Sequence, residues 1–212
     1  MSKKVWDYWA TKYEKHWIQK YSLGPTRNTI INELHNIIKP GTSLNILDMS
    51  CGIGQLIYEV KNEFISYDLN IIGVDISSKM LELAKIKNKD ITFYNSSIFD
   101  FETVEKFDII MCSHSFPYYQ DQEKAIKKFN NLLNDNGYLL LAQASINNFY
   151  DKISMFAVKF YTGFGKYPSI KKIESLTKEH FNLIKVIKIK EKFFMPSICL
   201  FLLTKKGETN ND

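Results

Sequence analysis

The chain has 212 residues, 45% of them hydrophobic and 24% charged, enough apolar content to bury one full core and too much for a disordered chain. No apolar run reaches the roughly 18 residues a membrane span needs, and the start, Met1-Ser2-Lys3-Lys4-Val5-Trp6, lacks the apolar stretch of a secretory signal, so a cytoplasmic location is expected. The net charge of +5 is uneven: residues 41–144 hold 9 basic and 14 acidic side chains, while the flanks are basic. Basic flanks suit an anionic partner, but 27 of the 28 cations are lysine and Arg27 stands alone, which disfavours arginine-based base readout and favours a solvated lysine face. Cys51, Cys112 and Cys199 are odd in number and widely spaced, so neither a disulfide framework nor a metal site is indicated.

In chain order, Trp6, Trp9, Tyr13 and Trp17 recur at helical spacing and predict an amphipathic N-terminal helix. A Gly24-Pro25 break opens a second helix, with Ile30, Ile31, Leu34, Ile37 and Ile38 on its apolar positions, closed by Lys39-Pro40-Gly41. Strands are then expected over 44–49, 71–75, 91–95, 107–112 and 138–142, with helices over 55–64, 77–87 (capped by Ser77) and 124–133. This alternation, with near-continuous apolar strands, predicts a doubly wound, mostly parallel α/β sheet. Residues 146–167 break the rhythm with seven aromatics and read as an inserted lid of one helix and a glycine-containing loop. A last helix over 170–180 precedes strands over 183–190 and 197–204, an antiparallel terminal hairpin. Residues 1–204 thus form one domain with 1–40 as a helical cap, and the tail from residue 205 is expected to be disordered.

Chemistry concentrates at the first strand. Asp48 ends it, Gly52 and Gly54 form a turn into the next helix, and Asp75 ends the following strand 21 residues after Gly54. Strand, acid, glycine turn, helix, strand and second acid in register mark a nucleotide site: the glycines let backbone approach a ligand, and the strand-end carboxylate accepts ribose hydroxyls. An acid at the turn and an acidic middle region disfavour a pyrophosphate and suit a ligand bearing an ammonium and a sulfonium, which S-adenosylmethionine does. The third glycine of the dinucleotide pattern falls at Ile57, which weakens a dehydrogenase reading.

On these residues the chain resembles the class I S-adenosylmethionine-dependent methyltransferase family over roughly residues 5–204. The stretch Asp48-Met49-Ser50-Cys51-Gly52-Ile53-Gly54 resembles its first motif, with Ser50 in place of the first glycine and expected to fit with negative φ. The segment from Ile72 to Leu81 is similar to the ribose motif, which implies that Asp75 holds the ribose and Ile76 and Met80 flank the adenine. Asn95-Ser96-Ser97-Ile98 occupies the place of Gly-Asp-Ala, so Ser97 and the Ile98 amide stand at the adenine edge. Residues 107–110, and Leu132 to Gly137, resemble the fourth strand and the approach to the fifth.

The resemblance implies a seven-stranded Rossmann-like sheet, S-adenosylmethionine as cofactor with S-adenosylhomocysteine as product, and methyl transfer to oxygen or nitrogen of a small molecule. It also assigns Cys112, at the fourth strand's end, to the cofactor site. Tyr13 either closes over the methionine end or packs with its helix. His114, in Cys112-Ser113-His114-Ser115-Phe116-Pro117-Tyr118-Tyr119, sits where the acceptor side begins and is either a general base or a histidine bonded within its loop. Tyr118 and Tyr119 either line the acceptor pocket or pack against the lid. The aligned Ser115-Phe116-Pro117-Tyr118 lacks the amide or carboxylate of amino methyltransferases acting on bases, and no cysteine follows a proline, so nucleic acid falls behind small molecules. The lid aromatics point to a flat or lipophilic acceptor or to a dimer interface, leaving monomer and homodimer open. Two alternatives stand beside this reading: an RNA or protein methyltransferase guided by the basic flanks, and a non-catalytic cofactor-binding subunit.

Overall fold

A computed structural model of the chain describes residues 6–8, 22–153, 155, 165–189 and 197–207. Trp9, Tyr13 and Trp17 of the expected N-terminal helix lie outside these residues, as do much of the expected lid and residues 208–212; residues 6–8 are helical.

Helix α1 (Gly24–Ile37) starts with a proline in its first turn, where a missing N–H costs nothing. Then follow β1 (Ser43–Met49), α2 (Gln55–Glu63), β2 (Asp68–Asp75), α3 (Ser78–Lys87), β3 (Thr92–Asn95) and β4 (Phe107–Ser113). A short 3-10 turn (Phe116–Tyr118) leads to α4 (Gln122–Leu132), β5 (Leu133–Ala144), α5 (Ile170–Thr177), β6 (Phe181–Ile189) and β7 (Ile198–Lys205). Short polar side chains cap three of these helices: Ser77 accepts the Met80 N–H, Asp121 that of Lys124 and Ser169 that of Lys172.

The strands form one seven-stranded sheet in the order β3-β2-β1-β4-β5-β7-β6, parallel from β3 to β5. β7 runs antiparallel between β5 and β6, which gives the expected terminal hairpin. Alternate side chains of each strand enter opposite faces. Leu47, Ile110, Cys112, Leu141 and Phe201 pack under α4 and α5. Ile46, Ile109, Met111, Leu140 and Leu200 pack under α1, α2 and α3. The result is a three-layer α/β/α domain whose strand order reverses between β1 and β4, the place where such sheets open a ligand crevice at the carboxyl ends of their strands.

β2 and β6 begin three and two residues before their apolar patterns predict, and β5 begins five before. β5 starts at Leu133, which pairs with Phe107 before the register slips, and the expected turn over 134–137 is held inside the strand. Asn136 supplies the left-handed residue of this irregularity, φ +60°, and Asn134 Nδ2 donates to Asp108 Oδ1 at 2.7 Å. Two side chains tie the segment that follows β5 to the starts of β7 and α5. Asp151, fully buried, accepts the N–H groups of Asn147 and Ser197, and Asn147 Oδ1 accepts that of Ile170 at the start of α5.

Candidate active site

The crevice at the β1/β4 reversal is a cleft of about 600 Å³. On the β1 and β2 side its wall is Ser50, Gly52, Asp75, Ile76 and Met80; past β3 it is Ser97, Ile98, Phe99 and Asp100. On the β4 side stand Ser113, His114, Ser115, Tyr118 and Tyr119, with Trp6 packed across from them. Seven of the eleven residues assigned to the cofactor site from sequence line this cleft, and His114 lines it as well.

Asp75 organises the near wall. Its Oδ2 accepts the Gly52 N–H and its Oδ1 the Ser77 N–H, both at 2.8 Å, so one carboxylate ties the turn after β1 to the start of α3. Burial pushes its pKa up, against the lowering by those two N–H bonds. Gly52, at φ +55°, has open space where a Cβ would stand, leaving bare backbone towards the cleft.

Ser50 departs from its expected backbone. Its φ is +64°, not negative, so it occupies the left-handed region that the glycine it replaces adopts freely, at a cost of roughly 1–2 kcal/mol for a residue with a Cβ. Its hydroxyl compensates by meeting the Tyr119 hydroxyl at 2.9 Å, and that hydroxyl also meets Ser115 Oγ at 3.2 Å. The loop after β4 therefore holds the turn after β1 in place.

The other assigned residues divide by position. Asp48, 2% exposed, opens on a small second cavity shared with Arg27, Ser50, Gly52 and Ser113, continuous with the cleft wall through the last three. Burial, with the charge of Asp75 second, pushes its carboxyl up to about 8. Gly54 does not line the cleft: at φ +68°, its Cβ would stand 2.8 Å from Asn88 Nδ2 and 3.1 Å from Ala84 Cβ, so glycine is required there for α2 to pack on α3. Cys112 also lies beneath the cleft, fully buried in the core, with Sγ 3.1 Å from Ser115 Oγ. Ser97 lines the cleft, and its hydroxyl donates to Asp100 Oδ2 at 2.5 Å, which brings a carboxylate to that edge.

His114 also has positive φ, +60°. Its N–H donates to Ala142 O on β5 at 2.7 Å, and its Nε2 lies 2.9 Å from Thr26 Oγ1 on α1. Burial, helped by the positive charge of Arg27, lowers its pKa to about 4, so the ring is neutral at physiological pH. Sequence reasoning missed Thr26, Phe99 and Asp100. Asp100 alone carried a signal, an acid three residues after a serine as in a helix cap; Thr26 is 88 residues from the ring it meets.

A family model described as a methyltransferase domain matches residues 40–181, and the chain belongs to that family. Malonyl-[acyl-carrier protein] O-methyltransferase of Bacillus anthracis is 24% identical over 54% of this chain and 43% of its own length. Demethylmenaquinone methyltransferase of Thermotoga maritima is 28% identical over 56% and 53%. The chain thus spans about half the length of these two relatives. Magnesium protoporphyrin IX methyltransferase of Synechocystis, solved with bound S-adenosylhomocysteine, superposes with a TM-score of 0.72 at 16% identity, covering 95% of this chain and 98% of that one, a likeness of fold. Among the described residues, no helix is long and apolar enough to cross a membrane.

The raised pKa of Asp48 sets a pH dependence of known sign. A folded value above the unfolded one gives stability that is complete below about pH 4 and lost as pH rises through about 8. Asp48→Asn, which mimics the neutral acid, is expected to gain thermal stability over the wild type progressively between those pH values and to hold the gain above them. Unfolding temperatures measured from pH 4 to 9 check this; a difference independent of pH contradicts it.

Proposed function

We propose that the enzyme methylates an oxygen or nitrogen of a small-molecule acceptor that enters the cleft beside His114. The observation that carries this reading is that His114, a neutral imidazole, lines the same cleft as the fixed carboxylate of Asp75. Several features fit the cofactor. Asp75 stands at a strand end where it can accept ribose hydroxyls, and Ile76 and Met80 offer apolar faces to an adenine. Ser97, Ile98 and Asp100 stand where its edge would lie. Gly52 and Ser50 line the turn under the methionine part, and Asp48, a buried acid, suits the ammonium. Gly54 and Cys112 shape the site from behind, and Tyr13 lies outside the described residues.

The bound cofactor supplies an electrophilic sulfonium methyl. The chain's own contribution is alignment and exclusion of water, and orientation alone can lower a barrier by about 7–11 kcal/mol. With the cofactor bound, the acceptor's lone pair would form the new bond to the methyl carbon as the carbon–sulfur bond breaks and S-adenosylhomocysteine leaves, and His114 would take the proton that the acceptor sheds. The acceptor end is aromatic: Trp6 meets Tyr118 edge to face at 5.3 Å, and Tyr118 meets Tyr167 at 6.0 Å with their hydroxyls 2.7 Å apart. Such a wall favours a flat or lipophilic acceptor. The demethylmenaquinone and magnesium protoporphyrin IX methyltransferases above are named for acceptors of that class.

Asp75→Ala is expected to abolish S-adenosylmethionine binding, whereas His114→Ala keeps it and loses turnover in a labelled-methyl screen of phenol, amine and quinol acceptors. Normal turnover by His114→Ala overturns the base. With a base neutral down to about pH 4, kcat/KM of the wild type has its acid limb near 4 and not near 6.5. Tyr119→Phe is expected to weaken cofactor binding about fivefold, equivalent to the ~1 kcal/mol of one hydrogen bond. In a Ser50→Gly background the same change has little effect, because the glycine needs no support; equal losses in both backgrounds, read by calorimetric titration, contradict the account.

A further inference from the structure

We propose that Thr26, on the first turn of α1, is a positioning residue that fixes the tautomer of His114, placing the ring proton on Nε2 and leaving Nδ1 as the basic nitrogen. The argument is one of hydrogen-bond balance. Thr26 Oγ1 lies 2.8 Å from the Ser22 carbonyl and 2.9 Å from His114 Nε2. A carbonyl only accepts, so the single hydroxyl proton goes to Ser22 and the Thr26 oxygen has only lone pairs left for the ring. Both bonds form together only if Nε2 carries the proton. The opposite tautomer sets two lone pairs against each other, or takes the hydroxyl proton from Ser22.

Three further observations make this a built arrangement. Thr26 is fully buried, so water does not compete for its hydroxyl. The ring's backbone is pinned on the other side, by the Ala142 carbonyl. His114 is held at φ +60°, a conformation that costs free energy unless its surroundings impose it, and such residues gather at functional sites. The threonine and histidine are 88 residues apart, so α1 and its entry turn at Ser22 become part of the acceptor side. The role of Nδ1 as proton acceptor rests on the reading of His114 as base; the tautomer does not.

The test is nitrogen NMR of the ¹⁵N-histidine-labelled full chain at pH 7, with the His114 ring assigned by its absence in His114→Gln. The expected spectrum has a protonated Nε2 and an unprotonated Nδ1 in the wild type and in Thr26→Ser, which keeps the hydroxyl. Thr26→Val is expected to lose the single tautomer and show exchange-averaged ring nitrogens. S-adenosylmethionine binding by calorimetry confirms that the valine variant is folded; should it not fold, the wild-type and Thr26→Ser spectra still decide. A protonated Nδ1 in the wild type overturns the inference, and so does an unchanged tautomer in a folded Thr26→Val. Because these spectra need no acceptor, the inference can fail while the base reading stands, and a normal turnover by His114→Ala can remove the base reading while the tautomer stands.

Discussion

A single carboxylate underlies the architecture of the cleft. Asp75 ends β2 with one oxygen on the Gly52 N–H and the other on the Ser77 N–H. Those two groups belong to different connections, so the bond pair sets the position of the turn after β1 relative to the first turn of α3. The carboxylate is buried and raised in pKa, yet its two backbone partners favour the charged form. With them it is a fixed acceptor at the mouth of the crevice that the strand order creates.

From that point outward the site is assembled by residues whose backbone is under constraint. Ser50, Gly52, Gly54 and His114 all have positive φ, and each is held for a different reason. Gly52 leaves open space, Gly54 avoids a collision with Asn88, Ser50 is supported by Tyr119, and His114 is secured by Ala142 and Thr26. One of these supports joins the two sides of the cleft, since Tyr119 follows β4 while Ser50 follows β1. The β1 and β4 sides of the cleft are therefore mechanically joined, which would suit the proposed reaction, whose main demand is alignment.

The layered fold was legible because apolar periodicity and helix stops are local signals. The strand ends Asp48 and Asp75 and the glycines between them marked the crevice before any contact was known. Local signals failed where a contact is long-range. Nothing near Ser50 in sequence tells of Tyr119, so negative φ was the natural expectation for a serine, and the structure reverses it. Gly54 looked like a ligand glycine because it sits in the motif, but its conformation and the nearness of Asn88 give it a packing role. The bulged start of β5 was missed because Asn134-Asp135-Asn136-Gly137 has turn chemistry, and the pairing of Phe107 with Leu133 that draws it into the strand lies outside any local window.

The central claim is that this cleft takes S-adenosylmethionine, and thermal unfolding of the full chain with added ligands tests it most directly. A ligand at about 100 times its Kd adds about 2.7 kcal/mol to stability. The account predicts that S-adenosylmethionine and S-adenosylhomocysteine each raise the unfolding temperature while NADH leaves it unchanged. Stabilisation by NADH, or by none of the three, would contradict it.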